Sequence, residues 1–311
     1  MKPISYKLVT IIIALLTVIP CPAQDNDSNS VKTVDQFYPN LAAGVLTYAK
    51  VKTLPEGILL KSEDVEISAK DIDSAISSQP EQFRVELKKN AFFVLEQEAT
   101  GKLLRKIAKQ ELGTEYANIS LMSDNQFQNI FFGTITKDVT VSEQDIETFY
   151  KENESIFCNT PLSSVRKQIE SYVLQDKKQQ LVDRYIQTLG QKMEILVSDA
   201  WTKQQAETAK DNPLDKARAN GKVTLAVFSA ASCCGPDKML PVINTIRAKY
   251  NDKVNIVYLE PRQEQILAAR YNVRSIPTQI FYSGSGKEVF RHSGFFSQED
   301  IEKKLTEMGV K

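Results

Sequence analysis

The chain has 311 residues, enough for two domains of ordinary size. Apolar residues make up 42% and charged residues 25%, which is the balance of a soluble globular protein rather than a disordered or membrane-embedded one. Its 39 basic and 39 acidic side chains cancel with no long run of either sign, so the concentrated basic surface that nucleic acid demands is excluded.

In chain order, Lys2 and Lys7 precede an apolar stretch over 8–19, interrupted only by Thr10 and Thr17, and then come Pro20, Cys21, Pro22 and Ala23. A basic start, about a dozen apolar residues and a small residue at the cut form the pattern of a secretory signal over 1–23. The stretch is shorter than the roughly 20 residues that span a bilayer. Two other fates stay open, an uncleaved anchor and a lipid on Cys21, although Pro20 stands where lipoprotein signals favour a small residue. Each means export, to the periplasm or another extracytoplasmic space, with membrane attachment only through such an anchor or lipid. If Cys21 leaves with the signal, Cys158, Cys233 and Cys234 remain. An odd number cannot pair completely within one chain, so in an oxidising compartment one thiol is reactive, reduced or joined to another molecule.

Residues 24–56 begin polar, rich in Asp, Asn and Ser, and read as a flexible leader. Residues 58–67 (ILLKSEDVEI) read as a hairpin turning at Ser62, Glu63 and Asp64. Ser68 caps the next helix, with Asp71 three residues on. One long helix is predicted over 80–112, because Phe83, Leu87, Ala91, Val94 and Leu95 recur at steps suited to one helical face, and Gly113 suits its end. Further helices are predicted over 124–132, over 142–150 behind a Ser142 cap, and over 162–189 with Gly190 as the stop. Residues 192–197 (KMEILV) read as a strand able to pair with the early hairpin. Thus 57–198 is a mainly helical module with a small strand pair, and 199–211 is a helical or loose linker. The aromatic pairs Phe92 with Phe93 and Phe131 with Phe132 read first as helix packing, and secondarily as surface for clients.

From 212 the pattern changes. A short helix over 213–220 leads into an apolar strand over 223–228 (VTLAVF). A helix over 239–250, a strand over 254–259 and a helix over 264–271 follow. Strands over 278–282 and 288–292 are joined at Ser283, Gly284, Ser285 and Gly286, and a last helix covers 298–307. With FSAASCCGPDKM over 228–239, SIPT over 275–278 and Gly294, residues 212–311 resemble thioredoxin. Thioredoxins carry Phe-x-Ala-x-Trp-Cys-Gly-Pro-Cys-Lys after the first long strand and an Ile-Pro whose cis bond faces the active site. The expected fold class is therefore multidomain, a mainly α-helical N-terminal module with a small strand pair followed by a C-terminal α/β thioredoxin fold.

The resemblance implies that Cys234 is the nucleophile, at the start of the helix through Lys238 and Met239, where free N–H groups and the helix dipole favour a thiolate. It implies that Gly235, Pro236, Ile276 and Pro277 bind an extended peptide, with Pro277 cis. Three departures qualify it. Asp237 replaces the second cysteine, removing the usual resolving thiol and placing a negative charge where it opposes a thiolate. Cys233 and Ser232 stand where the tryptophan and its predecessor are expected, and Phe228 lies one residue further upstream. Val227 occupies the place of the buried proton-shuttling acid.

A lone Cys234 can form a mixed disulfide, but its release requires a client thiol, an external redox partner, or Cys233 or Cys158 as resolver. The protein is then a thiol–disulfide isomerase or a mixed-disulfide holdase; alternatively, a degenerate domain only binds peptides. Copper(I) capture by Cys233 and Cys234 is a third reading, whereas a Cys/His zinc set is poorly supplied because His292 is the only histidine. His292 reads as a surface strand residue, and neither cofactor nor metal is expected.

Residues 57–73 (GILLKSEDVEISAKDID), 141–157 and 161–197 resemble the strand pair, helices and return strand of SurA-type periplasmic chaperones and parvulin foldases. There a parvulin domain usually separates the last two segments. Here only Cys158, Asn159 and Thr160 do, so prolyl isomerase activity is not expected. The implied partners are unfolded or cysteine-containing exported polypeptides.

Overall fold

Thr33 opens the first element with a capping box, its side chain and that of Gln36 each receiving a backbone N–H from the other's position. The structure is a computed structural model that describes residues 32–63, 65–112, 121–157, 160–230 and 237–310. The signal over 1–23, Asp64 in the expected turn, and Gly113 lie outside them. The described chain divides into two compact units, one built from residues up to Thr140 together with Lys177–Ala209, the other from Val141–Asp176 together with Lys210–Lys311. The expected module boundaries at 198 and 212 therefore do not follow compactness, which assigns the helical segment 141–176 to the second unit.

In the first unit, α1 (Val34–Phe37) leads to β1 (Lys50–Lys52), β2 (Ile58–Ser62) and β3 (Val65–Ser68). The expected hairpin forms, with β2 antiparallel to β3 and Glu63 at a positive φ of 46° in its turn. The leader expected over 24–56 is corrected from residue 32 onward. Val34, Val45, Leu46 and Ala49 are completely buried, and β1 pairs in parallel with β4 (Leu196–Ser198). These apolar residues follow neither the helical nor the strand period, which is why composition dominated the reading. As anticipated, the return strand joins the hairpin, Leu60 standing opposite Val197. The sheet order is β1-β4-β2-β3.

Ser68 and Asp71 form the expected capping box at the head of α2 (Ala69–Ser77). The single helix expected over 80–112 is in fact two, α3 (Glu81–Lys89) and α4 (Ala91–Leu112). Asn90 breaks it: its side-chain amide donates to the Glu86 carbonyl at 3.1 Å and to the Glu86 carboxylate at 2.7 Å, a local bonding habit that competes with helix continuation. α5 (Asp124–Ile135) follows, capped by Ser123. Phe92 stacks on Trp201, and Phe131 packs on Phe127, Phe132 and Tyr185, so these rings serve the core.

In the second unit α6 (Glu143–Glu152) begins at the expected Ser142 cap. The following α7 (Leu162–Lys192) contributes its first half to this unit and its second half to the other. Ile146, Val165, Ile169 and Val173 form a small helical core. Gly190, expected as a stop, lies inside α7. A Cβ there would collide with the Val45 carbonyl, so the glycine permits close approach of two backbones. The expected linker over 199–211 is α8 (Asp199–Ala209), which buries Thr202, Gln205, Ala206 and Ala209 in the first unit.

The C-terminal α/β fold comprises α9 (Pro213–Arg218), β5 (Val223–Phe228), α10 (Met239–Tyr250), β6 (Val254–Leu259), α11 (Gln265–Arg270), β7 (Thr278–Tyr282), β8 (Glu288–Ser293) and α12 (Gln298–Glu307). Sheet order is β6-β5-β7-β8, with β5 parallel to β6 and antiparallel to β7. Central strand β5 alternates its apolar side chains between two cores. Leu225 and Val227 pack with Ile243 and Ile301, whereas Ala226 and Phe228 pack with Leu267 and Tyr271. Among the described residues no helix is long and apolar enough to cross a membrane.

Candidate functional site

Between the end of β5 and the start of α10 runs the segment carrying Cys233, Cys234, Gly235 and Pro236. These four, like Cys158, lie outside the described residues. Asp237, the last residue of the motif, is described, half-buried and held by several hydrogen bonds. Its Oδ1 accepts the Ser229 hydroxyl at 2.9 Å and the Met239 backbone N–H at 2.8 Å. Its Oδ2 accepts the Tyr258 hydroxyl, which also lies 3.1 Å from the Ser229 carbonyl oxygen.

Each element has a local reason to deliver its part of this clasp. Ser229 is the first residue past β5, and Tyr258 sits on β6 opposite Val227 in the parallel register. An aspartate two residues before a helix readily accepts the N–H of the second residue on, as Asp237 does from Met239. The carboxylate expected to oppose a thiolate by bare charge is thus covered by three donors. One of the free N–H groups expected at the helix start is already committed to it. Burial pushes the Tyr258 hydroxyl well above the usual tyrosine range, and the bond to Asp237, the charge of Asp237 and that of Glu260 push the same way. Tyr258 is held neutral, as a donor.

The second wall is the Ile276–Pro277 step, whose peptide bond is cis. Ile276 is 41% exposed. The Thr278 hydroxyl donates to the Ser275 carbonyl at 2.6 Å, and the Gly294 N–H donates to the Pro277 carbonyl at 2.7 Å, pinning the step from both sides. Gly294 adopts φ +108°, and a Cβ there would come within 2.5 Å of the Asn153 side-chain oxygen. Burial raises the pKa of the Tyr172 hydroxyl, and the neighbouring Ser275 side chain opposes the shift. So α6 and α7 bring Asn153 and Tyr172 against the cis-proline loop within the second unit.

His292 is not a surface residue free in solvent: its ring stacks on Phe296 at 4.5 Å, and its Nε2 lies 3.3 Å from the Phe295 carbonyl. Val227 is completely buried, as expected for its place on β5. Among the described residues no group of three or more His, Cys, Asp or Glu side chains is placed to hold a metal ion.

Residues 210–309 match the thioredoxin-like domain family. The thioredoxin of Staphylococcus aureus is 38% identical over 72 residues, which are 23% of this chain and 68% of that protein. This chain belongs to the thioredoxin family. Among solved structures, thioredoxin NaTrxh from Nicotiana alata is 31% identical, covering 30% of this chain and 80% of its own, with a TM-score of 0.26. A mutant thioredoxin from Halobacterium salinarum is 27% identical, covering 30% of this chain and 81% of its own, with a TM-score of 0.27. The thioredoxin-like domain supports thiol–disulfide redox chemistry as the general activity of this half of the chain. Of the residues the motif singles out, Asp237, Ile276 and Pro277 are described here; Ser229 and Tyr258, which bond Asp237, were not singled out. Ser229 lies inside the quoted motif, whereas Tyr258 has no signal apart from strand register.

Proposed function

We propose that this is an exported protein that acts on the thiols and disulfides of exported polypeptides through one nucleophile, Cys234, as an isomerase or a mixed-disulfide holdase. The observation that carries the reading is Asp237: where a dithiol enzyme has its second cysteine, this chain has a carboxylate built into a three-donor clasp. The Cys234 thiolate attacks one sulfur of a client disulfide; a new S–S bond forms to the client, and the other client sulfur leaves as a thiolate. Attack by a third client thiol on the mixed disulfide forms a different client disulfide and returns Cys234 as thiolate, with no net oxidation. Where no client thiol follows, the client stays attached until an external thiol partner releases it. The exposed Ile276 beside the cis bond supports Ile276 and Pro277, with Gly235 and Pro236, as the peptide-contacting residues.

The export assignment is supported by the basic, apolar and small-residue order of the first 23 residues. The SurA-like reading of the N-terminal half is supported by the pairing of the return strand β4 with β2. It is supported also by α3, which buries none of its residues and leaves Phe83 47% and Val85 78% exposed for unfolded chains.

Refolding of a scrambled-disulfide protein in a glutathione buffer tests the chemistry. The wild type should raise the yield of native pairing several-fold over a Cys234→Ser variant. Equal yields would leave only a peptide-binding module.

A further inference from the structure

We propose that Tyr172 is a specificity-determining residue of the peptide groove, a wall beside Ile276 that favours client segments carrying an aromatic or large aliphatic side chain. The inference rests on the reading of Ile276 and Pro277 as peptide-contacting residues. It goes beyond that reading, because Tyr172 lies on α7, outside the 210–309 stretch that carries the family likeness.

Two contacts set the helical pair against the cis step, one on each side of it. Before the step, the Tyr172 hydroxyl lies beside the side chain of Ser275, whose chain neighbour is Ile276. After it, the Pro277 carbonyl accepts the Gly294 N–H, and the Asn153 side-chain oxygen lies where a Cβ on Gly294 would stand. Asn153 is buried and its amide donates to the Phe149 carbonyl at 2.9 Å, which fixes the end of α6 at this point. The Tyr172 ring leans on Phe149, their centroids 5.0 Å apart. Tyr172 is thus backed by α6 yet 40% exposed, and Ile276 is 41% exposed. Isolated apolar side chains are ordinary on a surface; here they flank open backbone. Among the described residues nothing hydrogen-bonds the N–H or the carbonyl of Ile276. An extended segment of a client polypeptide can meet both groups, and its alternate side chains then fall to one face. A side chain directed towards α7 meets the Tyr172 ring, where aromatic or aliphatic contact is favourable and a small residue leaves the ring in water.

The test uses the full-length protein and short, cysteine-free, fluorescein-labelled peptides of Gly, Ser and Thr that carry Phe, Leu or Ala at one central position. Binding is read by fluorescence anisotropy. The wild type should bind the Phe and Leu peptides about five-fold more tightly than the Ala peptide. Tyr172→Ser should abolish that preference and leave the affinity for the Ala peptide as it was, whereas Tyr172→Phe, which keeps the ring, should retain it. Equal weakening of all three peptides by Tyr172→Ser, as a general loosening of the loop would give, overturns the inference, and so does an unchanged preference. Pro277→Ala tests the underlying reading separately, and should weaken every peptide whichever side chain it carries. If Pro277→Ala changes no affinity, the peptides bind elsewhere and the groove reading itself fails; a wild type that binds none of them has the same meaning.

Discussion

In the helical unit the carboxylate of Glu96, on α4, is met by backbone alone. It accepts the N–H groups of Ala43 at 3.1 Å, Gly44 at 2.9 Å and Leu46 at 3.0 Å, and among the described residues no cation pairs with it. In the thioredoxin unit the carboxylate of Asp215, on α9, is met by charge. Arg270 donates at 3.0 Å, Arg218 at 3.2 Å, and the Tyr271 hydroxyl and the Asn212 amide complete the set. Backbone N–H groups offer partial charges only. At Glu96 burial therefore outweighs the three bonds, and the pKa rises above its ordinary value. The difference teaches what each carboxylate is for. Glu96 ties down residues 43–46, a stretch that composition assigns to a loose leader, whereas Asp215 knits α9 to the end of α11 through side chains already placed by the sheet.

The largest effect should come from the charged site. Asp215→Ala strands two arginines, one of them buried, and should destabilise the thioredoxin unit by about 3–5 kcal/mol in urea unfolding followed by near-ultraviolet circular dichroism. Glu96→Ala leaves three N–H groups without their acceptor but removes no counter-charge, and should cost about 3 kcal/mol. Trp201, the one tryptophan, stacks on Phe92 in the same unit, so its fluorescence reads that loss directly. A cost for Glu96→Ala above that for Asp215→Ala would break the contrast between backbone and charge compensation.

The smallest effect is a slope with pH. Folding raises the Glu96 pKa above 4.5, so the folded state holds that proton more tightly than the unfolded chain does. Stability contributed by the protonated group is complete below pH 4.5, declines as pH rises through the folded pKa, and is then constant. The unfolding midpoint read by Trp201 fluorescence should fall over that window in the wild type. In Glu96→Gln, which does not titrate, that part of the slope should vanish.

Much of the second half was legible in the residues. The strands over 223–228, 254–259 and 278–282 and the helices over 239–250 and 298–307 stand where their apolar runs and caps place them. The reason is that a buried strand flanked by helices on both faces writes itself as a short apolar run between polar turns. The first half was harder, because its signals conflict. Asn90 sits in an unbroken helical period yet ends a helix with its own amide, and Gly190 looks like a stop yet continues one because Val45 passes beside it. At the candidate site the motif exposes Cys234, Asp237, Ile276 and Pro277. Tyr258, which bonds Asp237, lies 21 positions further along the chain and reaches it only through strand register.

Taken alone, the residues determined the kinds of element, the family of the C-terminal domain and the substitution of Asp237 for a second cysteine, since all three are written in local order and spacing. Tertiary structure decided what those residues meet: that Asp237 is covered by Ser229 and Tyr258, that Glu96 is buried without a cation, and that the segment after residue 32 belongs to a core. Hydrogen-bond partners and desolvation depend on which distant elements come together, and no local pattern carries that information.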